Sequence, residues 1–141
     1  MIINKKLLDN LTLQAKHDLR LRQAYDLRNS ANDQSQRMLN ALEPGTVLAI
    51  HHHRTTSEVT SVVRGRVRQN IYDDNGILIE TFVASADGFP NFYVTPCGVW
   101  HNTECLESGT VIFEAKDGVY KPLSLENIKT VSYTHLRAHE T

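Results

Sequence analysis

A mainly β domain behind a helical lead-in is the architecture this sequence predicts, and three observations carry it. Short runs with strand character recur from Thr46 to Lys116, split by turn residues, as in a sandwich or barrel. Asp73-Asp74-Asn75-Gly76 is a hairpin signal, because Asn-Gly supplies the positive φ angles of a tight turn. Ahead of the strands, Leu7, Leu8, Leu11, Ala15 and Leu19 repeat at helical spacing.

Taken in order, residues 4 to 19 form an amphipathic helix whose apolar stripe lies on the β domain. Arg20 to Leu27 alternates polar and apolar residues, as a half-buried strand does. A second short helix is expected after Asp33 as cap, turning Met38, Leu39 and Leu42 inward and ending at Pro44-Gly45. Seven strands follow: 46 to 53, 58 to 64, 66 to 73, 77 to 84, 92 to 95, 100 to 106 and 110 to 116. The expected layout is a lead-in over residues 1 to 44 and a barrel over 45 to 130. The tail from Val131 to Thr141 reads as the translation of a sequencing-library adaptor, so His135 and His139 are set aside as ligands.

Composition narrows the function classes. With 141 residues, 40% hydrophobic and 22% charged, the chain builds one core and one domain. A formal net charge of −1 gives no concentrated positive face for nucleic acid or an acidic membrane. No apolar run has the length of a membrane span, and the first residues lack a signal-peptide core, so a cytoplasmic setting is expected. There the two cysteines, Cys97 and Cys105, read as free thiols. A Cys97/His101/Cys105 zinc site has helical spacing, but the Pro96-Cys97-Gly98 turn argues against a helix.

The chemistry is carried by histidines. His51 and His53 are two apart, so on a strand both project to one face, while His52 has the opposite parity. Glu58 follows a polar break that lets the next strand bring its carboxylate back beside them. His101 comes from a distant segment behind a stiff turn. Three imidazoles and a carboxylate suit a divalent first-row ion (Fe, Mn, Ni, Co or Zn) with positions left open. Arg20, Arg22, Arg64, Arg66 and Arg68 could face an anionic group, although strand arginines more often pair with surface carboxylates. Trp100 and the other aromatic residues read as packing.

These residues also carry a family resemblance. Gly45, His51, His53, Glu58 and Gly65 match the first cupin motif, and Pro96, Gly98 and His101 the core of the second. Two positions depart from it: Pro90 stands where a glycine is usual, and Cys105 where an asparagine is. The phrases Gln36 to Gly45, Val63 to Arg66 and Thr110 to Tyr120 resemble WbuC-like cupin metalloproteins. The resemblance implies a double-stranded β-helix (jelly-roll) barrel with N-terminal α-helices, holding metal through His51, His53, Glu58 and His101. It further implies a link to surface-polysaccharide (O-antigen) sugar metabolism, with a small anionic or sugar-derived ligand. The expected activity is that of a metal-dependent isomerase, epimerase, lyase or dioxygenase, Glu58 doubling as a base. The competing class is a non-catalytic module binding metal and a small ligand. A homodimer is expected from sheet edges that need cover.

Overall fold

Asn4 opens the helix α1 (Lys5–His17), its side chain accepting from the Leu7 amide at 3.0 Å and so capping a free N–H. The computed structural model describes residues 1–129. The adaptor-like tail, with His135 and His139, lies outside these residues. Leu8, Leu11 and Ala15 of α1 bury their stripe against one sheet, as the periodicity predicts, but the helix ends at His17 and Leu19, expected on the stripe, is exposed.

Ten strands follow: β1 (Arg22–Asp26), β2 (Ser35–Leu42), β3 (Ile50–His51), β4 (Glu58–Arg64), β5 (Arg66–Tyr72), β6 (Leu78–Ser85), β7 (Phe92–Thr95), β8 (Trp100–Cys105), β9 (Thr110–Asp117) and β10 (Ile128–Lys129). They make two five-stranded antiparallel sheets, ordered β1-β2-β9-β4-β7 and β10-β3-β8-β5-β6. Leu42, Val62, Val67, Ala84 and Ile112 pack between the sheets. Leu39, Ala41 and Val111 pack outward under α1.

Two expectations are corrected here. The lead-in has one helix among the described residues, and the segment expected as a second helix is β2, paired with β9 along its length and with β1 from Met38 to Leu42. Leu39 and Ala41 face α1 while Leu42 faces the inter-sheet core, so both faces are apolar and the strand loses its alternation. Asp33 caps no helix; its carboxylate accepts from the Asn29 and Ser35 amides in a turn. The strand expected over 46 to 53 shrinks to Ile50–His51, because side chains take the preceding carbonyls. Arg22 Nη1 donates to Val47 O at 2.8 Å and Asn102 Nδ2 to Leu48 O at 3.3 Å.

The Asp73-to-Gly76 turn forms as expected, with the Asn75 and Ile77 amides both on Asp73 Oδ1 and Gly76 at φ 79°. Gly65 joins β4 to β5 at φ 88°, and a Cβ there would sit 2.7 Å from Thr110 Cα. Only glycine fits that crossing. None of the described helices is long and apolar enough to cross a membrane.

Candidate metal centre

His51 and His101 face each other across the β3–β8 ladder, where they are register partners. His53 lies just past β3 and reaches the same point from a loop rather than a strand. Ring centroids are 4.4 Å apart for His51 and His101, and 4.9 Å for His51 and His53. One ring nitrogen of each of the three lies within 4.8 Å of the others.

The backbone fixes the tautomers of two rings. His51 Nδ1 sits 2.9 Å from Ala49 O and His101 Nδ1 2.9 Å from Val99 O. A carbonyl only accepts, so each Nδ1 carries the proton and each Nε2 presents a lone pair. His101 Nε2 is buried with no hydrogen-bond partner, as is His52 Nδ1 away from the cluster, but of the two only the His101 ring faces two further imidazoles with converging nitrogens. Burial, then the facing His101, holds His51 far below the ordinary imidazole range. Burial likewise lowers His101, and burial with the Lys116 ammonium takes His53 down to about 4. Near neutral pH all three are therefore uncharged donors, the form a metal requires.

Glu58 opens β4 on the opposite sheet, almost wholly buried. Its carboxylate is 3.6 Å from His53 Nε2 and 3.9 Å from His101 Nε2. It is also engaged: Lys116 Nζ donates to Oε2 at 3.1 Å and lies 3.5 Å from His53 Nε2. Burial pushes the Glu58 carboxyl up, but Lys116 and the imidazoles outweigh it and hold the carboxyl below its usual range. Behind it, Glu114 accepts from Asn40 Nδ2 and hydrogen-bonds Glu58. Burial and the Glu58 charge raise Glu114 well above a normal carboxyl, so at neutral pH it keeps its proton. Glu114 lines the cavity at the site and keeps partial contact with that space, although it is set deep in the fold.

Sequence reasoning missed both Glu114 and Lys116. Parity puts them on one face of β9 with Ile112, which points into the inter-sheet core, and that was the available signal. The register pairing Lys116 with Glu58 is not written in the sequence. His52, of opposite parity, stays off the cage: its ring stacks on Trp100 at 3.7 Å and its Nε2 meets Asn127 Oδ1 at 2.7 Å. Trp100 packs with Ile50 and Tyr72, as expected. The cysteines stay apart from the cage, Cys97 Sγ donating to Arg54 O and Cys105 Sγ to Leu42 O. Arg20, Arg64 and Arg68 meet Asp18, Asp9 and Glu104, the pairing read as commoner for strand arginines.

Two cavities meet at this cluster. One, about 520 Å³, opens past His53, Glu58, Lys116 and Tyr120. The other, about 340 Å³, runs between the sheets past His51, His101, Glu58 and Glu114. The donor set, its fixed tautomers and the orphaned Nε2 fit a divalent first-row ion better than any protein hydrogen bond.

Fold and cluster together define a cupin-fold protein with a three-histidine site. The chain belongs to the family described as Domain of unknown function (DUF6016), whose model matches residues 3–84. No curated protein matches. Among solved structures, the capsular polysaccharide assembling protein CapF of Staphylococcus aureus is similar at 24% identity and a TM-score of 0.60, over 74% of this chain and 30% of that one. KdgF from Halomonas sp. is similar at 15% identity and 0.56, over 72% and 83%. The Cnp3 cupin domain of Schizosaccharomyces pombe is similar at 10% and 0.54, over 70% and 65%. The chain thus spans under a third of CapF's length, and these likenesses speak for the fold.

Proposed function

We propose that this protein is a metal-dependent enzyme acting on a small oxygen-bearing molecule, with His51, His53, His101 and Glu58 as ligands of one divalent ion. The observation that carries the reading is His101 Nε2, buried without a partner and facing two more neutral imidazoles. A bound ion would supply Lewis-acid polarisation of a ligand oxygen. The chain's own residues handle the proton. Glu114 holds one at neutral pH, hydrogen-bonded to Glu58, so a ligand in the inter-sheet cavity meets a general acid beside a carboxylate able to act as base. Lys116 keeps Glu58 ionised and oriented.

A link to surface-polysaccharide sugar metabolism is supported by the WbuC-like phrases and by the likeness to CapF, a protein named for capsular polysaccharide assembly. A cytoplasmic setting suits the free thiols of Cys97 and Cys105. Self-association is supported by β7, an edge strand that exposes Phe92 and Val94.

One observation favours a second reading, a binding or sensing module without turnover. Lys116 occupies the carboxylate and stands close to His53, which weakens an ion's hold on that side. Elemental analysis of the purified protein, followed by turnover assays on sugar nucleotides, keto acids and diols, tests both. The enzyme reading expects about one equivalent of metal per chain, lost in His53→Ala, and turnover lost in Glu114→Gln. Metal without turnover on any ligand that binds supports the module. Absence of metal after loading contradicts both.

A further inference from the structure

Six of the described arginines are paired with carboxylates: Arg20, Arg28, Arg37, Arg54, Arg64 and Arg68. Arg66 points into open solvent. Arg22 differs from all of them. It lines the inter-sheet cavity, its Nη1 donates to Val47 O, and its other donors have no protein partner among the described residues. Its guanidinium keeps contact with solvent and is free to take a further acceptor.

From this geometry we infer that Arg22 anchors the carboxylate of a small hydroxy- or oxo-acid whose oxygen-bearing end reaches the histidine cluster through the same cavity. The inference rests on the metal reading for the second contact and stands on the cavity and Arg22 for the first.

Charge, size and lining agree on that ligand class. Glu58 at the cavity is ion-paired with Lys116, whereas Arg22 makes no ion pair among the described residues. A guanidinium that lines the cavity without a carboxylate partner suits an anionic ligand. The volume of about 340 Å³ falls at the small end of ligand sites. Leu42, Leu48 and Ile112 give it apolar walls that suit a short carbon skeleton. A phosphate would be met by several donors, commonly backbone amides at a helix terminus. This cavity has none of those, and a single planar fork matches a carboxylate. Asn40 and Thr103 also line the cavity, and their oxygens can accept from a hydroxyl on the skeleton.

The test is calorimetric titration of the metal-loaded full chain with lactate, malate and 2-oxoglutarate, with their methyl esters and inorganic phosphate as controls. At least one acid is expected to bind the natural chain. Its ester and the Arg22→Gln variant should each bind about tenfold or more weakly, as expected for loss of a charge-assisted pair. Arg22→Lys, which keeps the charge and loses the fork, should fall between. Metal content and melting temperature of both variants are measured alongside, because the Val47 contact is also removed. Unchanged affinity in Arg22→Gln, equal binding of acid and ester, tighter binding of phosphate, or no binding of any acid overturns the proposal. If the chain takes up no metal, the metal reading fails by itself. The same titrations of metal-free protein then decide Arg22, with loss of acid binding in Arg22→Gln in its favour and no acid binding against it.

Discussion

His51 and His52 are neighbours in the chain and opposites in the structure. His51 turns inward; one nitrogen is fixed on the carbonyl of Ala49, just ahead of its strand, and the other faces His53 and His101. His52 turns outward; its ring lies flat on Trp100, Asn127 meets its Nε2, and Lys129 Nζ caps the other partner's ring at 4.2 Å. The outward group fastens the chain's last described strand, β10, to β3 by aromatic and polar contacts. The inward group leaves lone pairs aimed at one another, which adds nothing to stability without a cation among them. The same residue type is thus structural on one face of the sheet and a candidate ligand on the other.

The largest effect that separates the faces is expected at Trp100. Trp100→Ala empties a buried site against Ile50 and Tyr72 and should cost about 3–5 kcal/mol in denaturant unfolding. On the inner face the order reverses. His101→Ala should weaken metal binding by roughly two orders of magnitude or more, above the loss typical of outer-shell partners, and cost the metal-free protein less than Trp100→Ala does. Removing the buried nitrogen that has no partner takes away a desolvation cost, which offsets part of the lost Val99 hydrogen bond and ring packing. Dialysis with elemental analysis and melting curves in chelator give the two numbers.

Acidity sharpens the contrast, because the inner face titrates against the fold. Its three histidines have folded values below the ordinary 6.5, so the unfolded chain binds protons that the folded one refuses. Stability of the metal-free protein should therefore fall as pH drops from 6.5 towards about 4, the value of His53. Glu114 works the other way. Its raised value favours the folded state while it is protonated, and that contribution is lost as pH climbs through the raised value. Denaturation midpoints should peak near neutrality, fall more steeply on the acid side, and lose their alkaline decline in Glu114→Gln. A flat profile would break this part of the account.

The smallest effect is expected at His52. Phenylalanine keeps the stacking surface and loses the Asn127 contact, so His52→Phe should cost about 1 kcal/mol, with metal content unchanged. A variant that loses metal would place His52 in the inner site and erase the distinction between the faces.

The same two faces explain what could be read in the sequence. Strands exposed on one side, such as β4, alternate visibly, and their bounds are legible in the sequence. β2 is apolar on both sides, under α1 and over the inter-sheet core, and its Met38, Leu39 and Leu42 imitate a helical stripe. Its strand nature comes from pairing with β9, far along the chain. His51, His53, Glu58 and His101 could be singled out because their spacing matches a known motif. The structure brings the imidazoles together even though His53 lies outside the strand whose parity argued for it. Lys116 and Glu114 could not be placed, since what gives them meaning is the β4–β9 register and the burial it creates.

X-ray absorption of the metal-loaded protein tests the central claim most directly, because it counts the imidazoles around the ion. Convergence of His51, His53 and His101 predicts a shell containing three imidazole nitrogens at about 2.0–2.2 Å, reduced by one in His101→Ala. A shell of oxygen alone, or one that His101→Ala leaves unchanged, would contradict it.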